Sequence, residues 1–339
     1  MSRIVPELTV PLVFFPLAVR YNAGLALLSA VLKARGIGTD LCLLSSESEF
    51  LRRLVAWDGP FCCFSAVTHV DYLRSVPFMR LAKGCGKTVV LGGTWCGLGR
   101  PVDDAVDFVC RGDGESLADF FQGGDDRLFR ELIVTTDLNA LPLPDYGMWQ
   151  GIPFDRGLPE TDGKFCLPYI SSRGCPYPCT FCQIRQQPAG MRIRTKVADD
   201  LGELTDRYHP DLWFIGDAML PYHSAAWRES WGDFRAPFVA YIRADITPEH
   251  LEWLIDRGLT GCAFGIESGD EAYRNRVLRK HLTDAEIWQT VTALRKAGVW
   301  CVPYFMSGTP GETMAIRTKT ARMARTIGRY AVMWAYEEL

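Results

Sequence analysis

The stretch SRGCPYPCTFC, Ser172–Cys182, sets Cys175, Cys179 and Cys182 in a C-x3-C-x2-C spacing. Three thiols within eight residues, with no fourth beside them, ask for a chemical reason. A structural zinc site takes four ligands, typically from two separated C-x2-C pairs, and the chain has no second pair. An iron–sulfur cluster held by four cysteines also lacks its fourth ligand here. A four-iron cluster held by three thiolates leaves one iron open to a substrate or cofactor, so the missing cysteine is itself informative. Three structural or zinc-binding thiols are the plainer alternative.

The surroundings narrow the choice. The chain has 339 residues, a length that suits two domains. Net charge is −3 and no basic patch dominates, which argues against nucleic acid and against a membrane surface as partner. The early apolar run VPLVFFPLAV contains prolines and is too short to span a bilayer, so it reads as a buried strand. The twelve cysteines show no disulfide framework. Cys42, Cys62, Cys63, Cys85, Cys110, Cys262 and Cys301 sit in apolar or strand-like runs, where a free cysteine acts as a small hydrophobe. A reducing cytoplasm is the expected location.

Two halves alternate apolar strands with amphipathic helices. In residues 1–133 the strands are LVFFPLAV, GTDLCLL, FCCFSAV, KTVVLGG and VDFVCRG. The helices include NAGLALLSAVLKARG, closed by Gly36, and HVDYLRSVPFMRLAKG. This alternation predicts a Rossmann-like parallel sheet, with ligands at the carboxyl ends of its strands. Residues 134–164, rich in Pro, Gly and Asp, read as a linker. Residues 165–339 alternate again, with strands FCLPYISS, LWFIGD, FVAYIRA, GCAFGIES, WCVPYFMSG and YAVMWAY. Thr247-Pro248 and the Thr283/Glu286 pair open helices, and Gly258 and Gly298 close them. Six such units predict a partial (β/α)6 barrel, active at its strand carboxyl ends. The three thiols follow its first strand.

At this point the chain resembles the radical S-adenosylmethionine (SAM) enzymes. The C-x3-C-x2-C motif carries the resemblance, with Phe181 before the last cysteine. Further matches follow in order: Gly216 and Asp217 in FIGDAM, Arg243 in YIRAD, Glu267 and Ser268 in FGIESG, and the loop FMSGTPGET. The resemblance implies that the cysteines hold a [4Fe-4S] cluster whose open iron chelates SAM. An external electron donor of the flavodoxin or ferredoxin type would supply the electron that cleaves SAM to a 5′-deoxyadenosyl radical. Gly216, Asp217, Arg243, Glu267 and Ser268 would position SAM. Taken singly, each match also reads as ordinary turn chemistry, and Asp217 also reads as a helix cap.

The first half resembles the cobalamin-binding domain that precedes this barrel in one branch of the family. NAGLALLSAVLKARGIGTDLCLL, FSAVTH, VVLGGTW and VDFVCRGDGESLADFF carry the likeness. It implies cobalamin contacts from Ser65, Thr68, Gly92, Gly93, Gly112 and Glu115. None of the five histidines sits in the Asp-x-His-x-x-Gly pattern that supplies a lower axial ligand, although His69 follows a strand. The first-half cysteines do not match the second-cluster positions of methylthiotransferases. The implied activity is cobalamin-dependent methyl transfer to an unactivated carbon. A non-methylating cyclisation or rearrangement and a non-catalytic cobalamin sensor are the alternatives. Because the chain ends soon after the sixth strand, an open mouth taking a peptide or carrier-bound substrate is expected beside a small-molecule one.

Overall fold

Strand order shows where each half can bind. The computed structural model describes residues 9–14, 22–43, 46–124, 126, 129, 131–149, 164–186, 190–328 and 331–335. The chain divides into two units, Met1–Asp162 and Gly163–Leu339.

In the first unit β1 (Thr9–Phe14), α1 (Ala23–Ala34), β2 (Gly38–Leu43), α2 (Glu47–Ala56), β3 (Phe61–Ser65), α3 (His69–Gly84), β4 (Thr88–Gly92), β5 (Phe108–Val109) and α4 (Leu117–Phe121) alternate. The sheet is parallel, in the order β2-β1-β3-β4-β5. This is the flavodoxin-like order, whose switch point lies between β1 and β3. Each helix is punctuated by its sequence. Asn22, Ser46 and Thr68 cap the first three through their side chains, and Gly36 turns the chain at φ 74° after α1. The core gathers Val13, Cys42, Phe50, Phe64, Phe78 and Leu91, with Phe50 edge-on to Phe78 at 5.4 Å.

Three readings need correction here. VDFVCRG yields only the two-residue edge strand β5. Cys85 is exposed, because it falls one residue beyond α3 as its C-cap rather than on the apolar face. The stretch expected as a linker is tied down over its first part. Asp145 accepts from Ser29 at 2.7 Å and from Lys33 at 2.7 Å, and Tyr146 and Trp149 are buried. Buried aromatics outweigh its Pro/Gly composition. Residues 150–163 of that stretch, and residues 15–19 of the first predicted strand, lie outside the described residues.

The second unit opens with β6 (Cys166–Tyr169), then a small antiparallel pair, β7 (Ser172–Arg173) and β8 (Arg192–Ile193). It continues through α5 (Val197–Tyr208), β9 (Leu212–Ile215), α6 (Ala225–Glu229), β10 (Phe238–Tyr241), α7 (Pro248–Asp256) and β11 (Leu259–Glu267). It ends with α8 (Glu271–Arg276), α9 (Asp284–Lys296), β12 (Trp300–Ser307), α10 (Met314–Ile327) and β13 (Val332–Ala335). Six parallel strands stand in the order β13-β12-β11-β10-β9-β6, as six in-line units require. Pro248 opens α7, and the Thr283–Glu286 capping box closes reciprocally at α9. Trp213, Trp227, Trp231, Phe238, Phe264 and Phe305 fill the core. Because the strands are parallel, all their carboxyl ends lie on one side, where the second-half candidate residues end or follow their strands. Among the described residues, no helix is long and apolar enough to cross a membrane.

Candidate active site around the thiol loop

The thiol loop starts from an anchored root. Ser171 and Ser172, just after β6, donate backbone and hydroxyl hydrogens to Asp217, which follows β9. Each Asp217 oxygen takes two bonds, and Trp227 Nε1 adds a bond at 2.8 Å to the Ser171 hydroxyl. Burial pushes the Asp217 carboxyl up to about 6, against the pull of these donors. An oxygen pair so fully bonded has nothing left for a ligand. Asp217 therefore clamps the strand before the thiols through its side chain. Gly216 beside it is tight: a Cβ there would lie 3.2 Å from Ile170 and 3.3 Å from the Phe214 ring.

Beyond the clamp, Cys179 is buried and Cys175 and Cys182 are half-buried. Burial raises the Cys175 and Cys179 thiols, while the Lys280 ammonium and Arg243 guanidinium nearby pull both down toward thiolate. Arg243, which follows β10, lies with its guanidinium 3.6 Å from the Tyr177 ring centre, inside the loop itself. It also grips Asp245 with both nitrogens at 3.0–3.1 Å and donates to the Lys280 and His281 carbonyls. Its donors thus hold the loop and a neighbouring segment in register.

That segment, Val277–His281, carries no motif that sequence reasoning singled out. Thr180 binds it twice, N–H to Leu278 O at 3.0 Å and hydroxyl to Val277 O at 2.9 Å. Lys280 Nζ pairs with Glu267 at 2.9 Å and lies 5.6 Å from the Phe181 ring centre. Arg279 and His281 both adopt φ 51°, and Glu267 φ 68°, a left-handed backbone that is strained for such side chains. Three strained residues beside three thiols mark a functional edge. Tyr177 and Lys280 were legible only as an aromatic and a cation at no defined spacing.

Ser268 turns inward instead. Its hydroxyl meets Thr320 and the Asp270 N–H, and its carbonyl accepts from the fully buried Arg274 at 2.7 Å. It holds the turn after β11. After β12, Glu312 accepts from Gly308 N and Arg317, and its other oxygen is buried without a partner.

The first unit's edge is built differently. Ser65 ends β3, level with Phe14 across the switch point and with Gly92 on β4. Thr68 spends its hydroxyl in the capping box with Asp71. A Cβ on Gly93 would lie 2.2 Å from Ala66 O, and one on Gly112 would lie 1.8 Å from Ile133 O. These two glycines admit the chain's own backbone on the side where a Cβ would stand. Gly92 keeps ordinary room, with Cys110 Cβ at 3.8 Å. Glu115 accepts from Thr135 at 3.3 Å. Tyr72 stacks on Trp95 at 4.0 Å, with His69 5.9 Å from Trp95. His69 Nδ1, Asp71 Oδ1 and Trp95 Nε1 are buried without partners. Burial pushes Cys96 and Cys110 up to about 12, so they remain protonated core thiols.

Residues 169–324 match the Radical SAM superfamily. The second unit carries a radical SAM domain. An uncharacterized methyltransferase of Synechocystis sp. is 23% identical over 269 residues, covering 72% of this chain and 47% of that protein. The chain thus spans about half the length of that curated relative. The chain shares a fold with two solved radical SAM enzymes, one of them a methyltransferase. TsrM from Kitasatospora setae, with cobalamin and a [4Fe-4S] cluster bound, aligns at a TM-score of 0.74 and 14% identity, over 96% of this chain and 72% of that one. The cobalamin-dependent radical SAM enzyme OxsB, with aqua-cobalamin and SAM bound, aligns at 0.66 and 15%, over 94% and 52%. At these identities the likeness is one of fold: a Rossmann-like unit before a radical SAM barrel.

Proposed function

We propose that the chain is a cobalamin-dependent radical SAM enzyme that transfers a methyl group to an unactivated carbon. The observation that carries this reading is the loop of three thiols, with Arg243, Lys280 and Glu267 set around it at the carboxyl edge of a parallel barrel. Among the described residues, no three His, Cys, Asp or Glu side chains close on one point as ligands of a single ion. Three closely spaced cysteines without a fourth suit a cluster with one open iron better than a four-ligand structural zinc. Cys175, Cys179 and Cys182 would hold that cluster, and when loaded it supplies one-electron cleavage of SAM. Phe181, Gly216, Arg243 and Glu267 would contact SAM. Asp217 and Ser268 are positioning residues behind them. A substrate of small-molecule, peptide or carrier-bound type would meet the same edge.

For cobalamin, the support is the orphaned polar set His69 Nδ1, Asp71 Oδ1 and Trp95 Nε1 beside the ends of β3 and β4. Ser65, Gly92 and Glu115 would border the ligand. Thr68, Gly93 and Gly112 would shape the turns beneath it. The closure of Gly93 and Gly112 onto the chain itself favours one rival, a non-methylating radical enzyme whose first unit is a scaffold.

Anaerobic reconstitution with iron and sulfide, followed by SAM, cobalamin and reductant, tests both. A bound corrin spectrum with 5′-deoxyadenosine and S-adenosylhomocysteine is expected. Deoxyadenosine without bound corrin would replace this reading by the scaffold one. Corrin without deoxyadenosine would point to a cobalamin-binding protein that does not catalyse.

A further inference from the structure

The thiol loop, itself exposed at Pro176 and Pro178, packs against one short segment that is also exposed. Val277–His281 is bonded to the loop through Thr180, which donates to two of its carbonyls, and its Lys280 ammonium lies 5.6 Å from the Phe181 ring centre. Its outer side is exposed at Arg276, Val277, Arg279 and His281. Cations nearby are neutralised: Arg274 by Asp284, Lys280 by Glu267, Lys319 by Asp270. Arg276 and Arg279 have no acidic partner among the described residues. Two unneutralised guanidiniums flank Val277, an apolar side chain 42% exposed, in a chain whose net charge is −3. The patch is therefore local and not a by-product of general basicity.

We propose that Arg276–His281 is the docking surface for an acidic one-electron carrier protein, resting on the reading of the thiols as an iron–sulfur centre. The carrier gives up one electron and leaves oxidised by one, and the centre is reduced by one. The segment offers a path of a few bonds from surface to thiol loop. Its charge complements an acidic partner, which steers encounter and orients the donor without a large interface. The segment is also fixed in place. Asn275 bonds both the N–H and the carbonyl of Leu282, and Arg243 holds the Lys280 and His281 carbonyls. The guanidiniums thus stand on a preset backbone. Two cations and one apolar side chain make too short a track for a nucleic-acid backbone.

The test compares two reductants on the reconstituted full chain. Deoxyadenosine formation is measured with dithionite and with reduced flavodoxin, an acidic carrier, for the unsubstituted protein and for Arg276→Glu with Arg279→Glu. With flavodoxin at low ionic strength, the double variant is expected to lose about tenfold or more in rate. With dithionite the rates should match. Added salt should slow the flavodoxin reaction of the unsubstituted chain and leave the variant's nearly flat. Arg279→Asn, which removes the charge but tolerates the left-handed backbone, should give an intermediate loss. An unchanged flavodoxin rate in the double variant overturns the proposal. So does an equal fall with both reductants, which would make the segment merely structural. No deoxyadenosine from the unsubstituted chain under dithionite overturns the functional reading instead, and this surface assignment with it.

Discussion

The two parallel sheets end in opposite ways. At the barrel's edge, charged side chains reach across strand ends and meet: Asp217 to Ser171 and Ser172, Arg243 to Tyr177 and Asp245, Lys280 to Glu267. At the first unit's edge, two glycines let backbone close on backbone, and stacked aromatics leave three buried polar atoms without partners. One edge is a finished cradle of charge and hydrogen bonds; the other is polar but incomplete. The contrast suits a group bonded to cysteines on one side, and on the other a large ligand that brings its own hydrogen-bonding groups.

The sharpest way to break this comparison is to remove a thiol. Cys179→Ala should bring bound iron, measured per chain after reconstitution, to background, with no deoxyadenosine formed. Retention of the cluster absorption would sink the ligand assignment. Next in size is Arg243→Met. It leaves Asp245 and two carbonyls without their donor, and should cost about 3–5 kcal/mol in urea unfolding. A loss under 1 kcal/mol would mean that the cradle is decorative.

The first edge gives a paired test. Gly93→Ala and Gly112→Ala push a Cβ into a carbonyl and should each cost about 3 kcal/mol. Gly92→Ala has room and should stay within about 0.5 kcal/mol of the parent, yet weaken corrin binding in a spectral titration. Equal corrin affinity in that variant would count against cobalamin at this edge.

Asp217 supplies the effect most specific to pH. Its carboxyl holds a proton more tightly in the folded chain than in the unfolded one, at about 6 against an ordinary 3.8. Its contribution to stability is therefore whole below about pH 4 and fades as pH rises through about 6, by roughly 2–3 kcal/mol. Unfolding curves of the parent and Asp217→Asn across that window should differ in slope by this fading term. Parallel curves would show that the carboxyl is not perturbed.

Much of the layout was legible in the sequence, because it rests on local rules. The strand–helix alternation, the Thr283–Glu286 box, Gly36 and the thiol spacing each act within a few residues. What stayed hidden depends on meetings between distant strands. The sequence shows Asp217 as a polar residue after a strand, but not that two serines 45 and 46 positions earlier use all its acceptors. Glycines at strand ends look alike in one dimension; only the distance to Ala66 or Ile133 separates Gly93 and Gly112 from Gly92. Lys280 and Tyr177 gain meaning from Arg243 and Glu267, which stand at the ends of other strands.

The Asp217 clamp also bears on the order of assembly. It is made of protein groups alone, and it fixes the chain three residues before the first thiol. The root of the loop thus has its own support in the protein. On the proposed reading, a cluster would enter a scaffold already folded, so the metal-free chain should keep its barrel, resist proteolysis at Ser171–Arg173, and still take up iron when reconstituted after refolding.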